Sequence, residues 1–384
     1  LAQLPMIKVE DNAVSVIGKS NIEIYIDGRQ MCDGQELQQL LSSNLKKVEL
    51  LMAPGAAYAS TTGAVLKITT RRNFVKGLSL TDHFLLECRR KWSVMDYLAL
   101  NYRAGNWEFF ANATIKRYNS LTKGVTTNTL VYGGKKTVVG SSQHISNPTT
   151  TGVVKAGFNY ADGPQSFGAY YRYNPERGDF NNSGSEWLDD NPVISSEIDK
   201  HSRAHSHLAS LYYENRLSDR YLLHFDGDFR RSNESNSVAT TYPDSSNPAV
   251  NSTDERTSTL WAGELYMNFP LWNGEFTVGT QDSYTHTALD YRMLNNAVSE
   301  YIPSSLTDAR QTSAALFASW ARMFGEFSIS AGARYEYVDY DFKVNGTRDE
   351  DVNRRDHLLT PDLSLGYSFN EESQISLSYK MATV

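Results

Sequence analysis

Cysteine is nearly absent, with Cys32 and Cys88 the only two in 384 residues. They fall in different predicted elements, and one possible pair is no disulfide framework, so both read as free thiols. A basic excess is absent too: 37 Lys and Arg stand against 44 Asp and Glu, for a net charge of −7 and a pI near 5.7. Nucleic acid is thereby excluded as a partner, because holding phosphate takes a surplus of basic side chains. No apolar run is long enough for a spanning helix. The chain opens on Leu1 with no basic stretch followed by an apolar one, so the signal peptide of an exported protein is expected to lie before it. Catalytic signatures are missing as well. Ser, His and Asp fall in no nucleophile-elbow pattern, and Gly133-Gly134 sits in a polar stretch without the helix that a phosphate cradle needs. No enzyme and no cofactor are expected.

What the chain has is aromatic residues and alternation. It holds 23 Tyr, 16 Phe and 6 Trp at a mean hydropathy of −0.47. In Trp107 to Lys116, the residues Trp107, Phe109, Ala111, Ala113 and Ile115 fall on one face of a strand, with Glu108, Asn112, Thr114 and Lys116 on the other. The split recurs around Phe167–Tyr173, Trp261–Phe269, Phe327–Glu336 and Asp362–Phe369. A strand that is apolar on one face only gives no hydropathy peak, yet its greasy face can meet lipid. From Phe74 onward about thirteen such strands can be counted, against about 22 in large plugged transporters.

Connections alternate in length. Tight turns are expected at Gly105-Asn106, Asp162-Gly163-Pro164, Ser218-Asp219, Asn273-Gly274, Gly325 and Asn370-Glu371-Glu372. Long polar loops are expected near Asn119–Gly152, Asn174–Arg203, Asn233–Arg256, Arg292–Ala309 and Asn345–Arg355. Short turns at one end and long loops at the other are the asymmetry of an outer-membrane barrel. Aromatics cluster beside the short turns, as in Tyr102 with Trp107, Tyr160 with Phe167 and Tyr367 with Phe369, where a girdle at the membrane boundary is expected. A soluble sandwich or β-propeller with one wetted face is the competing reading of any single strand, and a soluble carbohydrate-binding β domain the function that would go with it.

The first 72 residues differ. A strand at Val14–Ile17, another at Ile22–Ile26 that turns at Asp27-Gly28, and a helical spacing over Gln35–Leu41 make a small α/β unit. Strand Lys47–Met52 stops at Pro54-Gly55, and strand Ala64–Thr70 restarts after Gly63. Val48-Glu49-Leu50, Ala53-Pro54-Gly55-Ala56-Ala57-Tyr58-Ala59 and Gly63-Ala64-Val65-Leu66-Lys67-Ile68-Thr69-Thr70-Arg71 resemble, in order, three motifs of the plug of TonB-dependent outer-membrane receptors. The strand ending in Asp27-Gly28 is similar to a further plug strand. Ala53 and Ala59 depart from the family's glycines. The subgroup most resembled is that of Bacteroidetes receptors.

The resemblance implies a mainly β fold: a large antiparallel transmembrane β-barrel, partial here, with a small N-terminal α/β plug. Residues 1–72 would be the C-terminal part of the plug and residues 73–384 the N-terminal part of the barrel. It implies import of an extracellular nutrient, energised by a TonB-type protein whose docking segment is absent from this chain. The partners implied are the lipid bilayer of the outer membrane, a small ligand (glycan, peptide, siderophore or haem) and a surface lipoprotein lid. Ligand contact would fall on two plug loops, Lys19, Ser20 and Asn21, and Arg29, Gln30, Met31 and Asp33. A barrel that binds without transporting is the alternative. His201, His205 and His207 could meet a metal, but they read more simply as loop and rim histidines. Polar-face charges, including Lys116, Arg172, Glu264, Arg334 and Glu336, are expected to hold the plug.

Overall fold

A computed structural model describes residues 6–381 except 11–12, 27–28, 32–36, 38–44, 53, 60, 71–75, 89, 190–193, 219, 296–297 and 370–372. Near the N-terminus, β1 (Ile7–Glu10) and β2 (Ala13–Val16) form a hairpin. Then β3 (Ile22–Ile26), β4 (Arg29–Gln30), β5 (Leu45–Leu51) and β6 (Ala64–Thr70) build a sheet in the order β4-β3-β6-β5, with β3 and β6 parallel. Alternation sorts its faces. Ile7, Ile24, Leu66 and Ile68 form a buried cluster joined by Ile22, Ile26, Met31, Val48 and Leu50, while Glu23, Tyr25 and Lys67 point the other way. The helical spacing at Gln35–Leu41 lies outside the described residues apart from Leu37, as do Cys32, Asp33 and the Asp27-Gly28 turn.

The rest of the chain is one antiparallel sheet. Its strands are β7 (Gly77–Cys88), β8 (Trp92–Ala104), β9 (Trp107–Tyr132), β10 (Lys135–Asp162), β11 (Gln165–Leu188), β12 (Ile194–Ser218) and β13 (Tyr221–Thr241). It continues through β14 (Val250–Leu271), β15 (Gly274–Met293), β16 (Ser305–Phe324), β17 (Phe327–Val344), the short β18 (Thr347–Arg348), β19 (Arg354–Ser368) and β20 (Gln374–Lys380). Each strand pairs with its sequence neighbour, and β18 hangs off β17, so thirteen strands run in line from β7 to β20. Those two end strands do not pair with each other among the described residues.

The expected facing holds. Trp107, Phe109 and Ile115 are exposed on one face; Tyr171, Tyr335 and Leu363 are exposed there too, beside buried Arg172, Arg334, Glu336 and Asp362 on the other. Turns at one end are tight, as at Gly105 (φ +60°) and at Trp272-Asn273 (φ +50° and +54°), a pair of positive angles that closes a two-residue hairpin. An aromatic band accompanies them: the Trp107 ring lies 4.8 Å from Tyr160 and 5.8 Å from Phe167, and Phe269 lies 5.2 Å from Phe276.

The long loops need correcting. Most of Asn119–Gly152, Asn174–Arg203 and Asn233–Arg256 is strand, and β9 and β10 run 26 and 28 residues to a two-residue turn at Gly133-Gly134. At about 3.3 Å per residue β9 is roughly 85 Å long, far beyond the 9–11 residues that cross a bilayer. Past the membrane both faces are wet, so the ladder continues without any apolar alternation to announce it.

The facing predicts how the wall tolerates charge. Leu265→Arg, on the exposed apolar face, should cost about 2–4 kcal/mol and block assembly, whereas Ser328→Arg on the opposite face should leave folding near wild type, read by heat-modifiable gel mobility. Equal damage from both would mean that the facing is wrong.

Candidate functional site

The small sheet packs on the polar face of the large one. A cavity of about 330 Å³ lies between Tyr25, Tyr58 and Lys67 on one side and Glu264, Tyr266 and Asn268 on the other. A second, of about 280 Å³, is lined by Glu23 and Ala59 and by residues of six neighbouring strands, from Ser210 of β12 through Asp226, Glu264, Gln281 and Ser313 to Arg334 of β17. Six flat strands at about 4.8 Å spacing would span roughly 24 Å, too wide for so small a space. The wall is therefore concave around the small sheet.

Alternation within β3 delivers the first contacts. With Ile22, Ile24 and Ile26 committed to the core, Glu23 and Tyr25 face the wall. The Tyr25 hydroxyl donates to Glu23 Oε2 at 2.9 Å, and the Thr62 hydroxyl donates to the other oxygen of the same carboxylate. Tyr25 meets Tyr58 edge to face at 5.7 Å, and the Lys67 ammonium lies 5.6 Å from the Tyr58 ring centre. Burial first, and the Glu23 carboxylate next, push the Tyr25 phenol up; burial does the same for Tyr58. Both stay neutral, and Tyr25 donates.

The loop between β5 and β6 makes the second set. The Lys380 ammonium donates to the carbonyls of Ala59 (3.0 Å) and Thr62 (3.5 Å). Opposite, Gly332 leaves room for Ala56: a Cβ added there would come within 2.9 Å of the Ala56 Cβ and 2.5 Å of Asp362 Oδ2. Along the wall buried Arg334 donates through Nε to buried Glu336 at 2.6 Å and through Nη2 to half-buried Gln281 at 2.8 Å. His224 Nε2 bonds Asp226 at 2.8 Å and its ring stacks on Tyr266.

Of the wall charges expected to meet the small sheet, Glu264, Arg334 and Glu336 line the shared cavities. Arg172 instead bonds Asn174 along its own strand, at 2.6 Å, and Lys116 lies 5.7 Å from the Tyr118 ring. The two candidate ligand loops lie at opposite ends of β3. Lys19, Ser20 and Asn21 are exposed beside the Thr61–Gly63 turn, where Gly63 N–H donates to Asn21 at 3.0 Å. Arg29 and Gln30 pair with Ile26 and Tyr25 at the other end, and Met31 packs on the core. That end is the one facing the tight turns, since Lys67 and Ile68, in register with Tyr25 and Ile26, neighbour Asn268 and Thr277 close to Leu271–Gly274. Glu23, Tyr25, Thr62, Asp362 and Lys380 were not singled out from sequence, although the alternation of β3 marked its two faces. The histidines have local partners: His201 bonds Asp179 at 2.7 Å, His205 bonds Asn233 at 3.0 Å and His207 meets the Tyr171 hydroxyl.

Residues 215–383 match the model of a family described as the outer membrane protein beta-barrel family. The large sheet is an outer-membrane β-barrel wall. Its place is the outer membrane of a Gram-negative bacterium. Among solved structures the chain is similar to the siderophore receptor PiuA from Acinetobacter baumannii, at 11% identity and a TM-score of 0.51, over 94% of this chain and 56% of that one. It is also similar to the ferric yersiniabactin uptake receptor FyuA from Yersinia pestis, at 11% identity and a TM-score of 0.38, over 98% and 85%. The likeness to PiuA shows the fold alone, that of an outer-membrane β-barrel. No curated protein matches the sequence.

The buried pair on β17 sets a prediction. Arg334→Met takes from buried Glu336 the guanidinium that it meets at 2.6 Å and should destabilise the chain by about 3–5 kcal/mol, measured by urea unfolding in micelles. The double variant Arg334→Met with Glu336→Leu should recover most of the loss.

Proposed function

We propose that the protein is an outer-membrane receptor that imports a small extracellular nutrient, with residues 1–72 acting as part of a plug inside a barrel to which residues 73–384 belong. The observation that carries this reading is the docking of the small sheet on the concave polar wall through Glu23, Tyr25, Ala56, Ala59 and Lys380. A lumen filled by a folded sheet does not pass solute by diffusion, so import calls for work on that sheet. A TonB-type inner-membrane partner supplies the work in this reading, as the motifs of a Bacteroidetes-type plug suggest. The polar, hydrogen-bonded interface supports a plug that can be pulled aside, since hydrogen bonds between the sheet and the wall can be exchanged for water at modest net cost.

The open sides of β7 and β20 bear on the rest of the barrel. Each unpaired backbone group costs several kcal/mol in hydrocarbon, so both edges need partners. About nine further strands, bringing the total to roughly 22, would close the ring. Ligand contact is assigned to Lys19, Ser20 and Asn21, exposed at the end of the small sheet away from the tight turns, while Arg29 and Gln30 lie toward the periplasm. PiuA is a siderophore receptor, which makes a chelated metal one candidate ligand beside glycans, peptides and haem. A surface lipoprotein could cover the mouth.

The test locks the sheet to the wall. Ala59→Cys with Lys380→Cys, at the contact where the Lys380 ammonium now reaches the Ala59 carbonyl at 3.0 Å, should be bridged by a bis-thiosulfonate reagent whose links reductant cleaves. In cells carrying the full-length receptor, uptake of haem, ferric siderophores or defined glycans should require the TonB-type partner, stop on bridging and return on reduction. Uptake that survives the cross-link, or that proceeds without the partner, overturns the reading.

A further inference from the structure

The hairpin of β9 and β10 carries two features that import does not use. The first is an open edge. β8 pairs with β9 only from Ala104↔Trp107 to Val94↔Arg117, so residues 118–132 of β9 have β10 on one side and no strand on the other among the described residues. The Asn119 N–H donates to the Ser93 hydroxyl at 3.0 Å, which fixes the side its backbone faces. Pairing with β10 runs without a shift to Tyr132, so Leu121, Lys123, Val125, Thr127, Thr129 and Val131 turn their N–H and C=O groups to that same open side. Every residue from Thr122 to Tyr132 is exposed. Edge strands in water are ordinarily short, bulged, interrupted by proline or studded with charge, lysine above all. This one is long, regular and threonine-rich, with no proline from 118 to 132 and Lys123 its one charge.

The second feature is charge. From Phe109 to Ala161 there are six cations and no Asp or Glu, whereas the rest of the chain holds 31 Lys and Arg against 44 acids. A basic blade thus stands on an acidic protein. Odd-numbered residues of β9 share the outward face with Trp107 and Phe109, which sets Arg117 and Lys123 on one side of the blade, six positions apart.

We infer that the outer edge of β9, Leu121–Val131, is a docking surface for an acidic, extended polypeptide segment of another protein, added to the sheet as a strand. Backbone hydrogen bonds along the edge hold the guest, an acid on it stands opposite Lys123, and β-branched residues pair along the rest of the edge, beside a stretch of hairpin that holds no acid to repel it. A second copy of this chain fits poorly, because it would set one acid-free, basic hairpin beside another.

The test is binding to the full-length protein in detergent, read by fluorescence anisotropy. The probe is a labelled Thr- and Val-rich peptide with two glutamates two positions apart, so that one or the other can stand opposite Lys123; the control carries lysines instead. The acidic peptide should bind at least about tenfold more tightly than the basic one. Thr127→Pro removes an edge-facing N–H without touching the β9–β10 bonds and should weaken binding at least about tenfold. Lys123→Glu, a change of exposed charge that folding should tolerate, should narrow or reverse the preference. Equal binding of the two peptides, binding untouched by both variants, no binding because other residues of the full chain cover the edge, or edge-dependent dimerisation in place of peptide capture would each overturn the inference.

Discussion

Hydrocarbon offers no partner to a backbone N–H or C=O, and the rest of this structure follows from that. Within the spanning region every strand from β8 to β19 has a neighbour on both sides, and the register runs almost unbroken, with one irregularity at Arg216/Ser218. Sequence-adjacent pairing meets the requirement with the least loop. Each tight turn returns the chain directly to the ladder that it has just left. Because the ladder fixes the backbone, side chains have only two directions available, and the bilayer claims one of them.

The other direction serves the small N-terminal sheet. Residues two apart on one strand share a face, so Arg334 and Glu336 form an ion pair within β17, and Glu23 and Tyr25 form a hydrogen-bonded pair within β3. Each pair lies within one strand and takes no partner from the other sheet, so docking covers groups that satisfy one another. Buried charge is costly when unpaired, so pairing within a strand lowers the cost of closing the interface. Gly332 supplies the close approach, since a side chain there would run into the Ala56 methyl and hold the loop off the wall.

Beyond the bilayer the same ladder serves a different end. The extensions of β9 to β14 are free of the demand for an apolar face, and their Thr, Ser and Asn residues make a tall polar wall. There an unpaired edge is no longer prohibited, because water satisfies it. The step between β8 and β9 is an edge that the membrane would not allow and the aqueous phase does.

Much of this was legible in the residues. Alternation in Trp107–Ile115 and Phe327–Glu336 assigned the faces, and turn chemistry at Gly105-Asn106 and Gly325 placed the tight ends. The polar continuations were misread as loops, because a strand wet on both faces carries no hydrophobic period; Gly133-Gly134, a hairpin signal, was there to be used. The docking site was only half visible. Sequence alone determined which face of each strand is polar, since that depends on neighbours two residues away. Tertiary structure alone decided which polar residues meet: Lys380 reaches the carbonyl of Ala59 across 321 residues of chain, a contact set by how sharply the ladder curves and not by any local pattern.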